Sequence, residues 1–323
     1  MTSPSDPAPL PGRVLVIGGR GFVGSHIVRA LVEAGVETTV FGPPMDDDLL
    51  ADIAGRFAET VGSVEDRDAL AATLAASRAE AVVTTAAYSA GRQGLMKSGD
   101  AESDRALAVN VHGLRNVFEA ARAAGVGRIV WTDSTVVYGP ASLYGEGRVD
   151  EAAERAPVTF YGLTKVLGED VARYYRDRHG LAITGLRLPL VLGEGLWYSG
   201  AASAIAGIIA AASPAARHTV AFHDDPMDLM HVADVAEAIL TALRPGRAPG
   251  AVYNINGFTA ALSDVIRTVE ARVPGYRVTH ERQPAALSFP LIDDGRFRRE
   301  AGFAPRHALA DIVESMLVPE EVP

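Results

Sequence analysis

Up to Pro189 the chain alternates short, almost wholly apolar runs with longer alanine-rich stretches of helical period, and few folds accept that rhythm. Val14–Ile17, Thr38–Phe41, Ala81–Thr85, Arg128–Thr132 and Ile183–Leu188 read as strands. Helical patterns lie between them at Ser25–Ala34, Asp66–Ala76, Asp104–Ala124 and Val158–Arg178. Strands that are apolar on both faces must be covered on both faces. The pattern therefore predicts a parallel sheet with helices on either side, a doubly wound α/β fold. Beyond Pro189 the rhythm loosens. Loops rich in Gly, Ser and Pro surround a helix over Ala201–Ala212, and a helix at Val232–Leu243 and a strand at Val252–Ile255 follow. An amphipathic tail helix is expected over His307–Leu317.

The first strand runs directly into GGRGFVG, where Gly18, Gly21 and Gly24 fall at a G-x-x-G-x-x-G spacing ahead of a helix. Glycines there let the backbone approach a pyrophosphate, whose charge sits at the helix N-terminus beside the amides of Phe22 and Val23. In a chain with 32 glycines the spacing alone is weak. Its place between the first strand and first helix of a βαβ pattern makes it a dinucleotide-binding signal and the fold Rossmann-type. We expect a disordered leader over 1–12, an NAD(P)-binding domain over 13–189 and a smaller, irregular substrate lobe over 190–323. The strand near 252–255 is expected to return to the sheet. An acidic residue normally ends the second strand to hold the ribose 2′-hydroxyl. Gly42 stands there, and the next acids, Asp46 to Asp48, lie in an expected loop. Arg20 either faces a 2′-phosphate or points to solvent, so the reading is NAD or NADP with a lean to NADP.

Composition removes several other classes. There is no cysteine, hence no disulfide, thiolate metal site or cysteine nucleophile, as fits a reducing, cytoplasmic setting. A net charge of −10 argues against a phosphate-backbone binder. The longest apolar stretch, Ala201–Ala212, is broken by Ser203 and falls short of the ~20 residues a membrane span needs. His223, Asp228 and His231 are spaced like metal ligands, but we expect no metal.

Only Lys97 and Lys165 are lysine, against 28 arginines, a skew that reads as coding bias. One of the two lies in YGLTK, four residues after Tyr161, on a predicted helix. That separation puts both side chains on one face. A tyrosine with a free pKa near ~10 must become more acidic to act as a base near neutrality, and an ammonium one turn away favours the phenolate. The segment WTDSTVVYG after the fourth predicted strand offers Ser134 and Thr135 to orient a substrate oxygen.

GGRGFVG, TTAA at Thr84–Ala87, NVHGLRNVFEAAR from Asn110, DSTVVYG, YGLTK, LRLPLVLG, HVADVAEA and YNING occur in one order along the chain. In this it resembles the extended short-chain dehydrogenase/reductase family, epimerase/dehydratase branch, from Val14 to about Leu317. The resemblance implies that Tyr161 is the acid/base and that Lys165 binds the nicotinamide ribose and lowers the tyrosine pKa. It further implies that Ser134 hydrogen-bonds the reacting oxygen and that Asn110 supports the site. Ser63 and Val64 match the adenine contact, although an aspartate is usual at the first of these places. Ala86 and Ala87 match cofactor positions after the third predicted strand, and Pro189 and Leu190 match positions beside the nicotinamide. The family habit is a homodimer built on the Asp104–Ala124 and Val158–Arg178 helices.

Departures from the family narrow the chemistry. Members that eliminate water carry a carboxylate between the active-site Ser/Thr and VYG, where this chain has Thr135 and Val136, so a dehydratase is not expected. Nucleotide-sugar enzymes place asparagine at Leu190 and a diphosphate-gripping arginine at Met227. Both are apolar here, which implies a smaller or less charged substrate. Ser89, Thr135, Trp197, Tyr198 and Met227 are candidate substrate contacts, with lobe packing the alternative for Trp197 and Tyr198. The expected function is NAD(P)-dependent interconversion of a secondary alcohol and a ketone on a small, non-nucleotide molecule. An epimerase with transient oxidation on tightly held cofactor is the alternative. A non-catalytic cofactor-sensing protein is the alternative of another class, although such proteins often lose the tyrosine or lysine kept here.

Overall fold

The computed structural model describes residues 8–45, 48–197, 200 and 202–317. Strands β1 (Arg13–Ile17), β2 (Glu37–Gly42), β3 (Ala58–Val61), β4 (Ala81–Thr84), β5 (Arg128–Ser134) and β6 (Ala182–Leu188) form one parallel sheet. With β10 (Val252–Asn254), the order among the described residues is β10-β6-β5-β4-β1-β2-β3. The strand expected near 252–255 pairs parallel to β6, Tyr253 opposite Leu186.

Alternation along β1 explains the two layers. Val14 and Val16 enter one core with α1 (Phe22–Glu33) and α8 (Val232–Leu243). Leu15 and Ile17 enter the other, with α2 (Arg67–Ser77), α5 (Leu114–Ala123) and α6 (Phe160–His179). Asp66 caps α2 by accepting from Asp68 N and Ala69 N. Thr159 caps α6, and Gly180 ends it in the left-handed conformation at φ 67°.

The helical pattern at 104–124 is met by three consecutive pieces: α4 (Ser103–Leu107), a π-helical turn (Ala108–Gly113) and α5. Before it lies α3 (Leu95–Ala101), which the periodicity did not single out. Pro189 separates β6 from β7 (Leu190–Leu192), so the chain leaves the large sheet there for a small one.

The lobe has its own core, built on α7 (Ser203–Ala210), β8 (Arg217–Phe222) and β9 (Met227–His231), with β11 (Phe258–Ala260), α9 (Leu262–Arg272), β12 (Arg277–Arg282) and α11 (Leu309–Met316). The short helix α10 (Gly295–Ala301) instead sends Phe297 into the first core. Of the expected leader, 1–7 lie outside the described residues. Its last part is packed: Leu10 lies against the first core and the Ala8 carbonyl accepts from Arg244 Nη1 at 2.8 Å. Among the described residues no helix is long and apolar enough to cross a membrane.

Candidate active site

The glycine loop forms a cradle that side chains would fill. Gly18 has φ 79° and donates to the Phe41 carbonyl at 2.8 Å. A Cβ on Gly24 would run into the Gly18 carbonyl oxygen and pass 2.8 Å from Gly19 Cα. Gly21 caps α1 without a side-chain acceptor, and the first turn holds no acid. The amides of Phe22 and Val23 begin that turn, which suits an anion. These residues fit a dinucleotide pyrophosphate.

Arg20 does not face open solvent. Both Glu59 oxygens accept from it, the one on Nη2 at 2.6 Å, and Asp48 Oδ1 accepts from Nη1 at 2.7 Å. A guanidinium fork matches a carboxylate, so Arg20 is held by this pairing rather than left pointing to solvent. The Arg20 hydrogen bond holds Glu59 below the usual carboxylate range. Ser63 Oγ donates to Glu65, and the buried Val64 accepts from Asn116 Nδ2 at 3.0 Å. Ala86 and Ala87 are half-buried after β4.

Tyr161 and Lys165 lie one turn apart on α6, and both are buried. Lys165 Nζ donates to the Thr132 carbonyl at 2.7 Å and stands 5.5 Å from the Tyr161 ring centroid. Burial pushes the Lys165 ammonium down to about 8, with Asp133 pulling the other way. Ser134 ends β5, its hydroxyl oxygen accepting from Val136 N at 3.4 Å, and Thr135 opens the next turn. Gly99 on α3 allows close approach: a Cβ there would sit 3.0 Å from Tyr161 N.

Asn110 sits in the π-helical turn, a distortion found often at functional sites. Its Oδ1 accepts from Tyr88 N at 2.7 Å, and its Nδ2 donates to Thr164 Oγ1 at 3.0 Å. A cavity of about 10 Å³, the size of one water, lies among Asn110, Thr132 and Lys165.

The structure thus brings Tyr161, Lys165, Ser134, Thr135 and Asn110 to one end of the sheet. Pro189 is buried at the start of the lobe, and Leu190 and Met227 are half-buried against the lobe core. Trp197 packs on the first core, and Ser89 donates to the Gly91 carbonyl at 3.1 Å. Tyr198 lies outside the described residues. His223, Asp228 and His231 have separate surroundings: Asp228 accepts from Asn256 Nδ2 and Ile292 N, while His231 stacks on His307 at 4.3 Å.

Sequence reasoning missed the charges behind the pair. Arg187 is buried, donating to Glu169 from Nε at 2.7 Å and Nη2 at 3.0 Å, and to Tyr138 Oη from Nη1 at 2.6 Å. Asp133, in register with Arg187, is buried beside them. Two signals were available: an arginine inside an apolar strand, and a Tyr161–Lys165–Glu169 stripe at intervals of four.

The model of the "NAD dependent epimerase/dehydratase family" matches residues 14–256. The chain belongs to that family. It is an enzyme of the extended short-chain dehydrogenase/reductase type. It is similar to the UDP-glucose 4-epimerase of Azospirillum brasilense, 27% identical over 94% of this chain and 91% of that protein. Its fold is shared with a monomeric L-threonine 3-dehydrogenase from a metagenome, with TM-score 0.80 and 20% identity over 94% and 97% of the two chains. It is shared too with a Thermus thermophilus UDP-glucose 4-epimerase bound to NAD, with TM-score 0.77 and 23% identity over 94% and 98%.

Removing one member of a buried ion pair leaves the other uncompensated. Arg187→Met should cost this family member about 3–5 kcal/mol of stability, read from the urea midpoint. A midpoint like that of the unaltered protein would contradict the role given to the pair.

Proposed function

We propose that the protein interconverts a secondary alcohol and a ketone with NAD, on a small molecule that is not a nucleotide sugar. The observation that carries this reading is the buried Tyr161–Lys165 pair, one turn apart on α6, with Lys165 bonded to the Thr132 carbonyl near the end of β5, where Ser134 closes the strand. Tyr161 takes the hydroxyl proton in oxidation and returns it in reduction. Lys165, bound to the Thr132 carbonyl, keeps positive charge near the phenol and would hold the nicotinamide ribose. The Ser134 hydroxyl, whose oxygen accepts from Val136 N, keeps its own proton to donate to the reacting oxygen. Asn110 holds the π-helical turn to α6 through Thr164. When bound, the nicotinamide accepts or supplies the hydride.

Met227 and Leu190 support a small substrate, since a diphosphate set against two apolar side chains would lose hydration without gaining partners. Similarity to UDP-glucose 4-epimerase over most of the chain supports a second reading, transient oxidation with retained cofactor. Exposed Leu163 and Tyr174 on α6 support the homodimer expected from the family. For the cofactor we favour NAD over the NADP leaning of the sequence. A 2′-phosphate approaching Arg20 would meet Glu59 and Asp48 as well.

Two variants test the reading. Tyr161→Phe should lower kcat by about 10²–10⁴-fold while NADH binding, followed by fluorescence, persists. Turnover within a few-fold of the unaltered enzyme would sink the assignment. Glu59→Gln should move the ratio of NADPH to NADH affinity toward NADPH by about fivefold, the effect of about 1 kcal/mol for a partly exposed charge pair. An unmoved ratio would refute the carboxylate's part in selection.

A further inference from the structure

The Gly18 carbonyl is the atom around which the glycine loop is built. Gly18 O accepts from Gly21 N at 3.1 Å, while Gly18 N donates to the Phe41 carbonyl at 2.8 Å. Gly24, in the first turns of α1, passes so close to Gly18 O that a side chain there has no room. The direction of this carbonyl therefore sets how near α1 approaches the loop and where the amides of Phe22 and Val23 aim. Yet its peptide lies between two glycines, Gly18 and Gly19, with Gly18 at φ 79°. No side chain restricts its rotation, so its direction depends on hydrogen bonds.

One of those bonds comes from outside the loop. Thr85 follows β4, and its amide donates to the Ile17 carbonyl at 2.9 Å, which extends the pairing of β1 with β4. Its Oγ1 lies 3.0 Å from Gly18 O and 3.3 Å from Ile17 O. A hydroxyl has one proton to donate, and Ile17 O is already served by the amide, so the shorter contact assigns that proton to Gly18 O. Thr85 also fills the space beneath the loop: a Cβ on Gly18 would sit 2.7 Å from its Oγ1. The segment is anchored further along as well. Tyr88 N donates to Asn110 Oδ1 at 2.7 Å, and Ala90 N to the Ser98 hydroxyl oxygen at 2.8 Å.

We propose that Thr85 is a positioning residue for the dinucleotide. Its hydroxyl holds the Gly18 peptide so that the amides at the start of α1 are aimed at the pyrophosphate before it binds. Valine has nearly the same shape, but it sets a methyl group against the Gly18 oxygen and leaves that oxygen one donor short. The peptide is then free to turn away, and part of the binding energy goes into restoring it.

This inference rests on dinucleotide binding at the glycine loop and not on the roles given to Tyr161 and Lys165. Binding is read without turnover, from NADH fluorescence and from displacement of NADH by ADP-ribose, which keeps the pyrophosphate and lacks the nicotinamide. Thr85→Val should weaken NADH by about fivefold, and ADP-ribose by the same factor. Thr85→Ser, which restores the hydroxyl, should stay within about twofold of the unaltered protein. In turnover the loss should appear in the KM for NAD. Thr85→Ala, which removes the hydroxyl and puts nothing in its place, serves if the valine variant does not fold. An NADH affinity in Thr85→Val equal to that of the unaltered protein would overturn the proposal. So would a loss that Thr85→Ser shares in full, or one for NADH that ADP-ribose does not share.

Discussion

The bonds from Arg187 to Glu169 tie β6 to α6, and the candidate site depends on that tie. Glu169 lies one turn beyond Lys165 on the helix, so fixing it fixes the rotation of α6 and the side on which Lys165 and Tyr161 emerge. Arg187 also reaches Tyr138, whose hydroxyl meets Asn254 of β10 at 2.9 Å. One cation thereby links three elements near the carboxyl end of the sheet. Such a group gains little net stability over a well-packed apolar replacement, but it fixes directions that apolar packing does not.

Most of the framework was legible because the inner strands are buried on both faces, which leaves almost continuous apolar runs in β1, β4, β5 and β6. β3 was not. Its four residues, Ala58–Val61, are exposed at the sheet edge and show no apolar signal. The π-helical turn was hidden too, since one changed hydrogen-bond register inside a helix leaves the side-chain period nearly intact. The lobe strands are short or alternate weakly, as in β8, where one residue of six is buried.

The same distinction applies to the site. Tyr161, Lys165 and Ser134 stand in local motifs, so spacing alone could nominate them. The partners of Arg20 come from 28 and 39 residues away, a relation no local pattern carries. Their carboxylates turned the reading from NADP toward NAD. Asp133 was quoted within a motif, but its burial beside Arg187, 54 residues along the chain, is a relation no local pattern carries.

The central claim is net alcohol oxidation on a small substrate by the Tyr161–Lys165 pair. The most direct measurement follows both nicotinamide reduction and product identity when the protein and NAD meet small secondary alcohols, L-threonine among them, with UDP-glucose in parallel. The account predicts net NADH with a small alcohol and none with UDP-glucose. Conversion of UDP-glucose to its C4 epimer with no net NADH would contradict it.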